Sequence, residues 1–351
     1  MTPLERIVTV FNRDIPDRVP VFNVGGASRQ VVGVKLLDMM RNPEVQAKAQ
    51  LTAQRTIGHD SVSVGIDMAL EPEAMGCKVK FNEDEHPMIL EPLVKAPEDV
   101  DKIKIPDPEK DGRMPINIMA AKKLLDEVGK TVDVSAWFAG PFTLAGLIRG
   151  PDFFKDLIKR PDLAHRILRT TTECQKTYGT ALLEEGVRTL CIPDPTSSPN
   201  VVSPRIYKSF SLPYARELIA TLKKKRARIL HHICGDTTPI LKDIPETGAD
   251  CVSIDQPPDL AYAKEKIGRR VCLHGNVKTI DVLLKGTPAD VERESKNCIL
   301  KAAAGGGYLL GSSCDFPLNT PIDNIKAMVN AAKKYGSYAS DGSLVLANYN
   351  T

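Results

Sequence analysis

Two short runs carry side chains able to ligate a metal: His231, His232, Ile233, Cys234, Gly235 and Asp236 (HHICGD), and Ser312, Ser313, Cys314, Asp315, Phe316 and Pro317 (SSCDFP). On an extended strand, residues i and i+2 point to one side, so His232 and Cys234 can face a common point while His231 and Ile233 face the other way. Cys314, at a distant strand end, supplies a third donor. One imidazole with two thiolates is a catalytic zinc set that leaves the fourth position open, and zinc suits this soft mixture better than magnesium or calcium does. The spacing alone leaves a second reading open, in which His232 is a hydrogen-bonded wall histidine and the cysteines are small apolar fillers.

Three further places hold polar or permissive residues at strand ends. Asp194, in PDPTSSP, can hydrogen-bond a substrate or a metal-bound histidine, or cap the loop that follows it. His274, in LHGN, reads more as wall than as a catalytic group. Asn23, Gly25 and Gly26, in NVGGASRQ, are candidate substrate- or cofactor-binding positions, because the glycines allow close backbone approach; they also serve simply to turn the chain.

These residues need a scaffold that brings distant strand ends together. Short β-branched runs alternate with longer segments of helical period, the pattern of repeated βα units around a parallel sheet. Eight strands are expected: Arg18 to Val24, Asp60 to Gly65, Thr131 to Trp137, Arg188 to Pro193, Arg228 to Cys234, Ala249 to Asp255, Arg270 to Val277 and Gly307 to Ser312. Ser203 with Pro204, and Thr287 with Pro288, open long helices. The fold class predicted is α/β, a (β/α)8 TIM barrel with an N-terminal helical extension. The alternating CKVKFNEDEHPMILEPL breaks the repeat and reads as a hairpin, so residues 73–108 are expected to be an insertion on the barrel rim, within one domain covering 1–351. In such barrels ligands meet side chains from the C-terminal ends of the strands, where the candidate donors lie.

The 351 residues suit one barrel, and 42% apolar with 26% charged residues is a soluble globular profile. The 47 basic and 44 acidic residues balance too evenly for a nucleic-acid surface. No run approaches the roughly 18 apolar residues of a membrane span, and the N-terminus has no signal-peptide core, so a cytoplasmic protein is expected. In that reducing setting the eight cysteines read as thiols or metal ligands, not disulfides.

The chain resembles the uroporphyrinogen decarboxylase superfamily, and within it the cobamide-dependent branch of the methylcobamide:coenzyme M methyltransferases. The signatures are RVPV (18–21), EAMGC (73–77), GPFTL (140–144), the segment from Ser203 to Tyr214, GADCVSID (248–255), LHGN (273–276) and TPIDNIKAM (320–328). The resemblance implies zinc on His232, Cys234 and Cys314, with Asp255 as an exchangeable fourth ligand or else a cap or hydrogen-bond acceptor. It implies methyl transfer between a corrinoid and a zinc-activated small molecule, which is a coenzyme M-like thiol, a methoxylated compound, or tetrahydrofolate. No Asp-x-His-x-x-Gly corrinoid-binding segment is present in the sequence, so the cobamide is expected on a partner protein. Decarboxylases of the superfamily carry an arginine-rich motif where this chain has NVGGASRQ, and a lone Arg29 does not replace it. Asp67 falls where they keep a catalytic aspartate, which leaves a decarboxylase as one alternative and a non-enzymatic corrinoid- or tetrapyrrole-binding barrel as another.

Overall fold

In a computed structural model, which describes residues 1–22, 24–65 and 67–345, the chain forms a curled parallel sheet wrapped by helices. The strands are β1 (Ser61–Val64), the short pair β2 (Val79–Lys80) and β3 (Met88–Ile89), then β4 (Asp133–Trp137), β5 (Thr189–Pro193), β6 (Arg228–His232), β7 (Cys251–Ser253), β8 (Cys272–Val277) and β9 (Tyr308–Ser312). Seven of them make the main sheet, in the order β1-β4-β5-β6-β7-β8-β9, and β2 and β3 form the expected hairpin, antiparallel through Val79 with Ile89 and Lys80 with Met88. The helices begin where the sequence places their caps. Ser203 accepts from Ile206 N–H, and Thr287 and Asp290 form a reciprocal capping box at the start of Pro288–Ala302.

The first expected strand, Arg18 to Val24, is not a regular strand over its described residues. It spans the gap between β9 and β1 as an extended segment with a single parallel bridge, Val21 to Leu310. Pro20 has no N–H to donate, and the Val21 N–H goes to the Asp60 carboxylate at 2.8 Å, so no regular ladder can form toward β1. Arg18 donates both guanidinium nitrogens to Asp60 at 2.9 Å, and Arg6 adds a third contact at 3.1 Å. Backbone bonds still tie the segment to both sides, Phe22 N–H to Leu310 O and Leu310 N–H to Pro20 O at 3.0 Å and Asp60 N–H to Val21 O at 2.8 Å, and the buried ion cluster reinforces them.

Strand register builds the interior in layers. Cys191, Leu230, Cys251 and Cys272 lie side by side across β5 to β8, and the N-terminal helix Pro3–Phe11 packs Ile7, Val10 and Phe11 against them. The three cysteines here are apolar filler. Two residues further along each strand, on the same face, comes the row Pro193, His232, Ser253 and His274. The intervening row of Ile192, His231, Val252 and Leu273 faces the surrounding helices. Among the described residues no helix is long and apolar enough to cross a membrane.

Candidate metal centre

The sheet interior opens at the C-terminal strand ends into a cavity of about 430 Å³, whose wall includes His232, Cys234, Ser253, His274 and Cys314. His232 Nε2 stands 3.1 Å from Cys234 Sγ, and Cys234 Sγ stands 3.5 Å from Cys314 Sγ. All three donor atoms lie within 4.8 Å of one another. A tetrahedral zinc with bonds of about 2.3 Å to sulfur and 2.0 Å to nitrogen has edges of about 3.8 Å (S···S) and 3.5 Å (N···S). The two edges at Cys234 are within a few tenths of an ångström of those values, and the third lies within 4.8 Å, so donor chemistry and spacing both suit such an ion.

The two thiols share a hydrogen bond that separates their acidities. Their contact lowers the pKa of the Cys314 thiol and, together with burial, raises that of Cys234. Of the two, Cys314 is the one favoured toward the thiolate, which is the ligating form. Burial opposes the charged form of His232, but the hydrogen bond and Coulomb attraction to Cys314 outweigh it and raise its pKa.

Behind His232 lies a relay that the strand register creates. His232 Nδ1 is 2.9 Å from Ser253 Oγ, and the same oxygen is 3.0 Å from His274 Nδ1. A serine hydroxyl has one proton to give, so one imidazole must accept and the other donate. Burial pushes His274 down to about 3, which keeps it neutral. With a metal on Nε2, His232 would carry its proton on Nδ1 and donate it to Ser253 Oγ, which in turn would donate to His274 Nδ1. Gly311 makes room for the second imidazole: a Cβ there would sit 2.0 Å from His274 Nε2.

The turn after Cys234 is fixed by two side chains from other loops. Gly235, at φ +76°, donates its N–H to Asp255 Oδ2 at 2.6 Å, and Asp236 N–H donates to Asn200 Oδ1 at 2.7 Å. The other oxygen of Asp255 accepts from Gln256 N–H at 2.6 Å. Asp255 therefore acts as a backbone acceptor that shapes the cysteine loop, and its carboxylate is not one of the clustered donors.

The remaining sequence candidates fall into three groups. Gly25, Gly26 and His274 line the cavity, while Asn23 lies outside the described residues. Asp67 is also in the wall, but Arg113 holds both its oxygens, at 2.7 and 3.1 Å, and Ala69 N–H adds a third bond at 2.9 Å. Asp194 is fully buried, does not line the cavity, and accepts from Thr143 N–H at 2.6 Å. Gly140, at the start of helix Pro141–Arg149, has no side chain to cap it, so Asp194 serves as the cap from the neighbouring strand end. Burial pushes its pKa up to about 6 against the hydrogen bonds from Thr143.

Several site residues were not singled out in the sequence. Ser253 sits two positions after Cys251 and two before Asp255, and counting register along the strands would have placed it between the two histidines. Phe22, Trp137, Phe138 and Phe316 form apolar wall, and His86 and Pro87 come from the rim hairpin. No local signal marks Arg113, which reaches Asp67 from 46 residues away.

The family model for uroporphyrinogen decarboxylase (URO-D) matches residues 2–335. A methylcobamide:CoM methyltransferase, MtbA, of Methanosarcina mazei is 31% identical, covering 95% of this chain and 98% of the relative. A methylated-thiol–coenzyme M methyltransferase of the same organism is 29% identical over 83% of this chain and 77% of its own length. The solved structure of a methyltransferase from Methanosarcina mazei superimposes with a TM-score of 0.88 at 28% identity, covering 95% of this chain and 98% of the other. The chain belongs to the uroporphyrinogen decarboxylase (URO-D) family.

Proposed function

We propose that this protein transfers a methyl group from a methylated corrinoid, carried by a partner protein, to a small thiol held at a zinc ion bound by His232, Cys234 and Cys314. The observation that carries the reading is the convergence of one imidazole and two thiols from β6 and the β9 end within 4.8 Å at a cavity wall. The names of the relatives support the corrinoid and the thiol. Zinc bound by this set acts as a Lewis acid that keeps a coordinated thiol in its thiolate form near neutral pH.

The chain's own residues do the rest. Ser253 and His274 hold His232 in the tautomer that presents Nε2, and Asp255 and Asn200 hold the loop carrying Cys234. The aromatic walls keep water from the reacting sulfur, which strengthens electrostatic interactions there. In the transfer an S–C bond forms as the Co–C bond breaks. Both electrons of the broken bond stay on cobalt, and the thiol proton leaves to solvent. The corrinoid must approach the mouth of the cavity, so the partner docks on the rim that includes the β2-β3 hairpin.

The test is metal analysis beside activity with free methylcobalamin as methyl donor. Purified protein should contain about one zinc per chain, and Cys314→Ala and Cys234→Ala should lose the metal and thiol methylation together while remaining folded. Stoichiometric zinc retained in both variants would refute the ligand assignment. Methoxylated compounds with reduced cobalamin, and tetrahydrofolate as acceptor, run in the same assay, test the other two small molecules that the family resemblance allows.

A further inference from the structure

The cavity beside the metal cluster has an unusual charge balance for a site expected to hold an anionic thiol. Its wall is built from Phe22, Trp137, Phe138 and Phe316, with Met68 and Pro87. Among the described lining residues there is no lysine or arginine, and the carboxylates are Asp67 and Asp315. Two arginines close in sequence or contact to wall residues lie outside the lining and form ion pairs, although Arg29 Nε is itself unpaired. Arg113 gives two bonds to Asp67 and one to Glu73 at 2.6 Å, and its guanidinium lies 5.0 Å over the Phe81 ring. Arg29 bonds Asp84 at 2.9 Å and Asn319 at 3.0 Å and does not line the cavity. Of the three lining histidines, His232 faces the sulfurs and, with His274, is bound to Ser253. His86 is exposed at the rim.

Charge counting sharpens the point. A dication with two cysteinates and a neutral imidazole is balanced, and a bound substrate thiolate already brings the cluster to about one negative charge. A sulfonate or carboxylate on the same small molecule adds a second, in an apolar cavity whose described walls hold no lysine or arginine and whose third histidine, His86, faces the rim beside Asp315. Transferring an unpaired anion out of water into such surroundings is strongly unfavourable. An uncharged hydrocarbon or aromatic body instead gains from covering the aromatic walls.

We infer that the small molecule methylated at this site is an uncharged, apolar thiol, its hydrocarbon or aromatic body lying on Phe22, Trp137, Phe138 and Phe316, and not a sulfonated or carboxylated thiol. The inference rests on the methyl-transfer reading for the role of the thiol, but its central content is which thiols the cavity accepts.

Binding can be read apart from turnover. The intact protein is loaded with cobalt(II) in place of zinc, and thiol coordination is followed by the sulfur-to-cobalt charge-transfer and ligand-field bands. Two pairs of similar size are compared: 1-butanethiol with 2-mercaptoethanesulfonate, and phenylmethanethiol with 3-mercaptopropionate. Each neutral thiol should bind at least about tenfold more tightly than its anionic counterpart, equivalent to about 1.4 kcal/mol. The same order should hold for kcat/KM with methylcobalamin. Equal or tighter binding of 2-mercaptoethanesulfonate overturns the inference, as does a cobalt-loaded protein whose bands respond to neither neutral thiol. Tight binding of the neutral thiols without methylation supports the assignment of thiol class and refutes the methyl-transfer reading instead, so the two failures are told apart.

Discussion

Replacing Ser253 with alanine tests the claim that strand register, and not the three donors alone, makes the metal centre. The serine is 3% exposed, with His232 at 5% and His274 at 6%, so none of the three can recover a lost bond from bulk water. Removing Oγ takes the partner from His232 Nδ1 and from His274 Nδ1 at once. Loss of a hydrogen bond behind a ligating histidine lowers metal affinity about 10- to 100-fold, or roughly 1.4 to 2.7 kcal/mol. Each buried group left unpaired costs about 1–3 kcal/mol of folding stability. The assay is zinc competition against a chromophoric chelator, with circular dichroism and urea unfolding on the same samples. Ser253→Thr, which keeps a hydroxyl, should retain most of the affinity. Wild-type zinc affinity in a folded Ser253→Ala protein would show that His232 is oriented by something else.

Two further outcomes follow from buried charge. Arg113→Met leaves Asp67, whose side chain is 2% exposed, without its partner, and should cost about 3–5 kcal/mol in urea unfolding; adding Asp67→Asn should recover most of it, and no recovery would mean that the pair is not the source. Glu71 is fully buried and burial pushes its pKa up to about 7 from an ordinary 4.5. The folded state therefore holds this proton more tightly than the unfolded chain does. The resulting stability is fully present below pH 4.5 and is lost as the pH rises through about 7, a change on the order of 3 kcal/mol. Glu71→Gln should flatten that part of the stability-against-pH curve, and curves of equal slope would refute the shift.

The sequence made the cluster of His232, Cys234 and Cys314 legible because two rules act locally there: strand parity sorts His232 from His231, and strand ends meet at one mouth of a parallel barrel. Both hold in the structure, where His231 falls in the outward row and the donors converge. The first strand is irregular because extended, apolar RVPVFNV satisfies the strand pattern while two of its successive donors are absent or diverted, although Phe22 N–H still bonds Leu310 O. Pro20 has none, and the donor of Val21 is captured by Asp60, 39 residues away. Asp194 was left between two readings for a similar reason. A strand-end aspartate has the same local signature whether it faces the cavity or caps a helix, and what decided between them was the bare Gly140 at the helix start. Ser253 and Arg113 act through partners 21 and 46 residues distant, which only register or tertiary packing reveals.

The placement of charge also separates this site from the decarboxylating reading of the same fold. The aspartate that the resemblance marks as catalytic in decarboxylases is present as Asp67, but Arg113 occupies both its oxygens and Ala69 N–H shares one of them. A carboxylate held this way is a structural anchor between β1 and the helix that begins at Met114, not a free base. Where those enzymes gather arginines, Gly25 and Gly26 line the wall, and a polycarboxylate would find no cation among the described lining residues. What the cavity offers in their place is soft and nearly neutral: two sulfurs, an oriented imidazole and aromatic faces. Chemistry that develops charge on sulfur beside a thiophilic dication matches such walls, whereas carbanion formation from a multiply charged acid does not.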